Sequence, residues 1–206
     1  MIRYLSCLFI ILALGGCATG GLHRAAYDGD VERAKSLIAG GADVNERTDF
    51  RWSTLAPSPA YNCDDCSPLF LAVRQDRLNV ARLLLEGGAD ANSSDNDIGG
   101  LTPLHVARSL AMVRLLVTNG AEVNAKSNDG LTALYYLACC DAFMVLSDGP
   151  LKDPAAVDYL LSRGANPNIA HFHSTPLDEA YRRNDPALVA VLSRYGAKRF
   201  NDVGQR

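Results

Sequence analysis

Two of the six cysteines stand at a spacing that can do chemistry: Cys63 and Cys66 are separated by two aspartates. Thiols at this spacing can close a disulfide, bind a metal ion or exchange electrons with another disulfide. The redox role is disfavoured, because neighbouring negative charge opposes the thiolate that a reactive cysteine needs and no strand–helix–strand pattern surrounds the pair. Cys139 and Cys140 are adjacent, and they are predicted to be either buried thiols or a strained vicinal disulfide.

Other residues that could catalyse a reaction or bind a metal do not form a convincing set. His171 and His173 are two positions apart, but two ligands without a nearby third make a poor zinc site. The sequence has no glycine-rich phosphate loop, no Gly-x-Ser-x-Gly and no His-Glu-x-x-His. A formal net charge of −3 provides no basic footprint for nucleic acid. We therefore predict no enzymatic activity, no cofactor, no metal, and neither a nucleic-acid nor a small-molecule partner.

The start of the chain has the pattern of a targeting segment. An early arginine precedes an apolar run that is too short to span a membrane, and the sequence Leu14-Gly15-Gly16-Cys17 follows. This pattern resembles the lipobox of bacterial lipoproteins. The resemblance implies a signal peptide over residues 1–16, cleavage before a lipidated Cys17, and a short tether over residues 17–20. The alternative is an ordinary signal peptide in which Cys17 is incidental.

The lipobox resemblance also implies a compartment. It predicts a protein of the bacterial cell envelope that is anchored by lipid and faces the periplasm. Ala18, rather than aspartate, follows the cysteine, and this resembles outer-membrane sorting more than inner-membrane retention. Paired cysteines in an oxidising compartment usually form disulfides. A structural Cys63–Cys66 bridge is therefore the favoured interpretation, with reduced or metal-bound thiols and a redox pair as alternatives.

After this segment, the chain repeats one short unit five times. A Gly-Ala pair follows the end of a predicted helix at Gly41, Gly88, Gly120, Gly164 and Gly196. Helix starts such as Thr102-Pro103-Leu104 recur before these pairs, with threonine or serine as the cap and proline where a missing amide costs least. A unit this short cannot bury its own apolar face, so the sequence predicts a stack of helix–turn–helix units.

These phrases resemble the ankyrin repeat. Residues 102–107, TPLHVA, match the family phrase T-P-L-H-x-A, and residues 84–92, LLEGGADAN, match L-L-x-x-G-A-D-x-N. The resemblance covers residues 21–200 and implies an all-α solenoid of about five repeats with β-hairpin-like fingers. It also implies a structural role for His23 and His105, whose rings bond local backbone in the family. Residues 201–206 are predicted to be a C-terminal tail.

The repeat spacing departs from the family pattern at two insertions. Residues 46–65 lengthen a finger, and residues 139–154 lie between the two predicted helices of the fourth repeat. The first insertion contains Trp52, Phe50 and Tyr61, and exposed aromatic side chains are favoured in binding hot spots. In the alternative interpretation, Trp52 and Phe50 fold back onto the first repeats and extend the core.

Ankyrin repeats bind partners through their fingers and first helices, and this resemblance suggests the binding residues. In the fingers they are Trp52, Tyr61, Asp95, Asn96, Asp97, Asn128 and Asp129; on the first helices they are Arg74, Arg108 and Arg182. The sequence therefore predicts a non-enzymatic protein–protein interaction module whose partner it does not identify. A narrower hypothesis is an inhibitor or immunity-type binder of an envelope protein. The alternatives are a thiol/disulfide-active envelope protein that uses Cys63 and Cys66, and a structural envelope lipoprotein.

Overall fold

A computed structural model describes residues 21–47, 65–94, 99–139 and 153–203. The chain divides into two compact units, Met1–Asp90 and Ala91–Arg206. The described residues are mostly helical and include no β-strand, which confirms the predicted all-α class. None of the helices in these ranges is long and apolar enough to cross a membrane.

In the described part of the first unit, residues 21–47 and 65–90, the chain forms two successive helix pairs. Helix α1, residues 21–28, is followed by α2, Val31–Ala39; helix α3, Pro68–Arg74, packs against α4, Leu78–Glu86, and α4 also packs against α2. All seven residues of α3 are buried, so this helix lies at the centre of the core. The largest fully buried side chains of the unit are Leu22, Leu69, Phe70, Leu71 and Leu84.

The described residues of the second unit form three helix pairs and a short last helix. The first helices are α5, Pro103–Val106, α7, Ala133–Cys139, and α9, Pro176–Arg182. The second helices are α6, Leu110–Thr118, α8, Pro154–Ser162, and α10, Pro186–Arg194, and α11 is Phe200–Val203. First helices pack on first helices in the order α5, α7, α9, and second helices pack in the order α6, α8, α10. The layers bury Leu104, Met112, Leu116, Leu134, Leu160 and Leu192.

Serine or threonine caps the first helices α3, α5 and α9, as the sequence predicts. The Ser67 hydroxyl accepts a hydrogen bond from the Phe70 amide at 3.2 Å, and Thr175 caps α9 in the same way. Proline stands in the first turn of α3, α5 and α9, where its missing amide costs nothing. Helix α5 is only four residues long, because Ser109 already caps α6 by accepting from the Met112 amide at 3.2 Å.

The Gly-Ala pairs end the second helices. Gly120 has a φ of 89°, in a region that a side chain would disfavour, and the other four glycines of these pairs also have positive φ. The next amide then bonds back into the helix: Ala121 N–H donates to the Leu116 carbonyl at 3.0 Å. The same bond recurs in the other four pairs, from Ala42, Ala89, Ala165 and Ala197.

Asparagine side chains join successive turns within each unit. Asn124 Nδ2 donates to the Gly164 carbonyl at 2.9 Å, and Asn124 Oδ1 accepts from the Asn166 amide at 2.9 Å. Asn45 and Asn92 make the equivalent pairs of bonds. An amide side chain carries both a donor and an acceptor, so one residue fixes two backbone groups of the next turn.

The fingers differ from the predicted hairpins. In the described ranges they are turns rather than strand pairs, and His171 and Ser174 form an isolated antiparallel bridge with both N–H···O distances at 2.9 Å. Helix α7 ends at Cys139 and α8 starts at Pro154, and residues 140–152 of the predicted insertion between them lie outside the described residues. The predicted domain boundary at residue 200 falls on the first residue of α11, so the folded region extends through Val203.

Candidate functional site

The finger before α9 ends in an aromatic tip. Residues 171–174, here called the fingertip turn, form a two-residue turn closed by the His171–Ser174 bridge. Its central residues, Phe172 and His173, have φ values of 45° and 64°, and Phe172 is 87% exposed. Bulky side chains rarely adopt positive φ, and turns of this shape usually contain asparagine, aspartate or glycine. The fingertip turn therefore holds a large apolar ring in water at a conformational cost.

Ring contacts position the fingertip turn between two helices. His171 packs edge-on against Tyr135 of α7 with ring centroids 6.0 Å apart, and His173 packs against Phe200 of α11 at 5.0 Å. The rings of His171 and Phe172 lie 4.1 Å apart. Edge-to-face aromatic pairs contribute about 0.5–1.5 kcal/mol each. The flanks of the turn are thus anchored while its tip stays exposed.

The exposed surface continues from the fingertip turn onto α9. Tyr181 is 52% exposed, and the Arg199 guanidinium lies 5.5 Å from the centre of its ring. We call this set the C-terminal aromatic surface, and it consists of Phe172, His173, Tyr181, Arg199 and Phe200. Aromatic and arginine side chains supply most of the binding energy in protein–protein hot spots. The composition of this surface therefore fits a protein partner.

Asp178 holds the cationic edge of this surface in place. Its Oδ1 accepts from Arg199 Nε at 2.9 Å, and its Oδ2 accepts from the Phe200 amide at 2.7 Å. Burial raises the pKa of Asp178, but the hydrogen bonds from Arg199, Phe200 and Thr175 outweigh burial and hold the pKa below its usual value. The carboxylate is consequently charged at neutral pH and fixes the direction of Arg199.

Three of the predicted binding residues lie at the surface of the second unit. Asn128 and Asp129 are exposed, and the Asn128 amide donates to the Gly99 carbonyl at 2.8 Å. Arg182 is exposed and donates from Nε to Glu179 at 2.8 Å. Arg108 is half-buried. The surface positions are compatible with binding, and their role in binding stays a prediction.

Arg74 is placed differently from its prediction. It is the last residue of α3, a helix that is buried along its whole length, and it is only 4% exposed. Its position on a first helix suggested that Arg74 faces a partner, but the residues packed around α3 cover the Arg74 side chain. We therefore remove Arg74 from the candidate binding surface.

Several predicted residues lie outside the described ranges. They are Cys17, Trp52, Tyr61, Cys63, Asp95, Asn96 and Asp97, together with Cys140. Cys66 is described: it is fully buried and disulfide-bonded. Because Cys63 is not among the described residues, the Cys63–Cys66 pairing stays a prediction.

Both ends of the first insertion are tied to the repeats. Arg47 Nε donates to Asp65 Oδ1 at 2.5 Å, across the base of the insertion. His23 Nε2 lies 2.9 Å from the Glu46 carbonyl and 3.1 Å from the Cys66 carbonyl, so one ring contacts both ends. This is the local backbone bonding that the ankyrin resemblance implies for His23.

Metal-binding and catalytic arrangements are not evident in the part of the chain that the structure describes. Within it, no group of three His, Cys, Asp or Glu side chains is placed to hold a metal ion. His171 and His173 contact aromatic rings instead. Burial lowers the pKa of His105, a residue that is only 4% exposed, below its usual value of 6.5, and this effect outweighs the backbone hydrogen bonds to the ring, which raise the pKa. Such a histidine is structural.

Sequence reasoning missed Phe172. It considered the two flanking histidines as metal ligands and passed over the phenylalanine between them. The available signal was its location: Phe172 lies between the end of one repeat and the Thr175 cap of the next, where turn residues such as glycine and asparagine are expected. A bulky aromatic residue at such a position suggests a binding role.

The stacked helix pairs and their capping geometry define the class, and comparison with known proteins agrees. The family model described as ankyrin repeats (3 copies) matches residues 22–127. The chain belongs to the ankyrin-repeat family, whose repeats serve as protein–protein interaction modules.

Three relatives show how far the similarity extends. The putative ankyrin repeat protein YahD of Escherichia coli (strain K12) is 29% identical over 195 residues, covering 84% of this chain and 94% of that protein. The human ankyrin repeat and SOCS box protein 16 is 32% identical over 192 residues, covering 90% of this chain and 37% of that protein. The neurogenic locus notch homolog protein 1 of Xenopus laevis is 32% identical over 103 residues, covering 48% of this chain and 4% of that protein.

Proposed function

We propose that this chain is a lipid-anchored, periplasm-facing interaction module that binds a protein partner through its C-terminal aromatic surface. The observation that carries the proposal is Phe172, which is 87% exposed at the tip of the fingertip turn. Exposing this ring in water has no benefit for folding, and burying it against a partner recovers roughly 1.5–3 kcal/mol. Membership of the ankyrin-repeat family supports a protein as the partner.

The backbone of the fingertip turn supports the same proposal. Among the described residues, the non-glycine positions with positive φ are Asp65, Asp76, Phe172, His173 and Asn184. Aspartate and asparagine tolerate this conformation, whereas a phenylalanine there is strained by roughly 1–3 kcal/mol. A strained and exposed aromatic residue that is held by anchored neighbours is pre-organised for binding, since little further ordering is required.

The binding test uses a substitution that separates stability from binding. Phe172→Asn should stabilise the protein by about 1 kcal/mol in urea unfolding, because asparagine tolerates positive φ. The same variant should weaken binding to a partner purified by affinity capture from solubilised envelope by about 30-fold, as expected for a hot spot. Phe172→Tyr keeps the ring and is the matched control. Unchanged affinity of Phe172→Asn for that partner would rule out the fingertip turn as the hot spot.

The lipid anchor rests on the Leu14–Cys17 pattern and is tested separately. Cells expressing the full chain should incorporate radiolabelled palmitate into it, and Cys17→Ala should abolish the label. Cys7→Ala, within the predicted signal peptide, is the matched control and should keep the label. Label that persists in Cys17→Ala would refute the anchor without affecting the binding proposal.

The thiol-active alternative is the weaker one. The Cys66 side chain is fully buried, which leaves its sulfur out of reach of a second protein's thiol. Alkylation of the native protein, with and without a mild reductant, distinguishes the two functions. A structural disulfide should remain unlabelled until the protein is denatured, whereas rapid labelling of the native protein would favour redox chemistry.

A further inference from the structure

A second surface lies on the outer side of the second helices in the Ala91–Arg206 unit. Helices α6, α8 and α10 are neighbours there, and their side chains form two adjacent groups of contacts, one around Tyr159 and one around Asp158. We call it the arginine–tyrosine face, and it consists of Arg114, Asp158, Tyr159, Arg163, Arg194 and Tyr195. None of these residues belongs to the C-terminal aromatic surface.

Two arginines share one tyrosine ring on this face. The Arg114 guanidinium lies 5.3 Å from the centre of the Tyr159 ring, and the Arg163 guanidinium lies 5.1 Å from it. Both arginines are exposed, and within the described ranges neither contacts a carboxylate. Stacking on a ring restricts the guanidinium plane while its N–H donors stay available. The pair therefore presents two oriented cationic forks.

Between their caps, these three helices carry one carboxylate, Asp158, and it is already paired with an arginine. Asp158 accepts a hydrogen bond from Arg194 at 2.6 Å. The Asp158 carboxylate beside the Tyr195 hydroxyl also raises the pKa of Tyr195 above its usual value. Arg194 in turn lies 5.4 Å from the centre of the Tyr195 ring. Asp158 is thus neutralised locally, and among the described residues the charges of Arg114 and Arg163 have no carboxylate partner on a protein whose formal net charge is −3.

We propose that the arginine–tyrosine face binds an acidic segment of a protein, with Arg114 and Arg163 each engaging a carboxylate. Planar guanidinium groups pair with carboxylates in a two-bond fork, and the shared Tyr159 ring holds the two guanidinium groups close enough to engage one segment. An anionic membrane is a poorer fit, because two uncompensated charges would contribute only about 1 kcal/mol each at a lipid surface. A nucleic acid is a poorer fit still, since its affinity grows with the number of phosphates neutralised.

The experiment measures fluorescence anisotropy of a labelled peptide of alternating glutamate and glycine, titrated with the full chain. A peptide with glutamine in place of glutamate is the matched ligand control. We expect binding of the glutamate peptide alone, weakened as salt rises from about 20 to 150 mM. Arg114→Gln with Arg163→Gln should weaken it at least about tenfold, because two charge-assisted contacts are lost.

A matched protein control removes two cations from the other unit. Lys35→Gln with Arg82→Gln, on exposed positions of α2 and α4, should leave the affinity unchanged. Arg114→Lys with Arg163→Lys keeps the charge but removes the planar fork, and we expect a loss of about threefold. Equal weakening by both glutamine variants would overturn the proposal, since net charge alone would then explain binding.

A lipid arm distinguishes the competing partner. Vesicles of phosphatidylethanolamine with phosphatidylglycerol are sedimented with the chain, with all-phosphatidylcholine vesicles as control. Vesicle binding that depends on Arg114 and Arg163, without binding of the glutamate peptide, would assign the face to lipid and overturn the proposal. Phe172→Asn should leave peptide binding unchanged, so failure of either proposal is visible independently of the other.

Discussion

The first helices of the third and fifth repeats begin with four-residue segments that differ only in their last residue. Residues 102–105, TPLH, open α5, and residues 175–178, TPLD, open α9. In both, the last side chain accepts a hydrogen bond from the threonine amide at 3.1 Å, His105 through Nδ1 and Asp178 through Oδ2. The two side chains therefore cap their helices alike, and they differ in what they offer to the following segment.

His105 offers a donor, and Asp178 offers only acceptors. Because the Thr102 amide donates to Nδ1 of His105, the ring proton is on Nε2, which donates to the Leu131 carbonyl at 3.1 Å. Asp178 instead accepts from the Phe200 amide and from Arg199. A donor binds the carbonyl of a following repeat, whereas an acceptor binds the amide and cation of the terminal segment. His105 therefore suits the third repeat to an internal position in the stack, and Asp178 suits the fifth repeat to the end.

The largest effect is expected from putting the terminal residue into the internal repeat. His105→Asp would place a carboxylate against the Leu131 carbonyl in a site that is 4% exposed. We expect a loss of about 3–5 kcal/mol in the free energy of unfolding, as for an uncompensated buried charge. Urea unfolding followed by circular dichroism measures it. The control is His105→Gln, which keeps a donor and an acceptor and should cost only about 1 kcal/mol; similar losses in the two variants would contradict the donor argument.

The reverse exchange should cost less. Asp178→His removes the acceptor that binds the Phe200 amide and Arg199, at a site where the side chain is 17% exposed. We expect a loss of about 2 kcal/mol, because charge-assisted hydrogen bonds are lost while water reaches the site. Hydrogen exchange of the Phe200 amide should accelerate. Asp178→Asn retains one acceptor oxygen, so its stability should lie between that of Asp178→His and that of the unmodified protein. If Asp178→Asn loses as much stability as Asp178→His, the charge of Asp178 matters more than its geometry.

The two residues should reduce stability in different pH ranges. The pKa of His105 is lowered from 6.5, so the unfolded chain takes up a proton first and stability falls as the pH drops below about 6.5. The pKa of Asp178 is lowered from 3.8, so its contribution is present above that value and is lost as the pH falls through the folded pKa.

Urea unfolding from pH 8 to pH 3 tests both ranges. His105→Gln should flatten the decline below pH 6.5, and Asp178→Asn should flatten the decline below pH 3.8. Each variant serves as the control for the other, since neither should affect the other's range. A decline below pH 6.5 that persists unchanged in His105→Gln would assign it to a different group.

The smallest effect is expected from the cation that Asp178 binds. Arg199→Gln removes a pair whose arginine side chain is 59% exposed, and water and salt screen such pairs strongly. We expect Arg199→Gln to lower the melting temperature relative to the unmodified protein, by less than Asp178→Asn does. Near 1 M salt, Arg199→Gln and the unmodified protein should melt at the same temperature, because salt screens the ion pair. Arg194→Gln, whose partner is Asp158, is the matched control on another surface. A salt-independent loss would show that Arg199 acts through Tyr181 packing instead.

Much of the repeat framework was predictable from local sequence. The cap at Thr102, the proline that follows it and the Gly120-Ala121 ending each act within a few residues, so their types and spacing identify the helix boundaries. Which side chains face outward was less predictable. Arg74 and Arg182 both end first helices, yet one is 4% exposed and the other lies at the surface, because neighbouring segments cover only one of them.

The candidate surfaces depend on contacts between residues that are distant in sequence. Arg114 and Arg163 meet at Tyr159 because α6 and α8 are neighbours, and no local pattern connects them. Phe172 is exposed because His171 and His173 are held by Tyr135 and Phe200. The sequence alone determined the ankyrin repeats and their capping, since hydrogen bonding within one turn sets them. Only the tertiary structure decided which aromatic rings and guanidinium groups share a surface, since helix packing sets those distances.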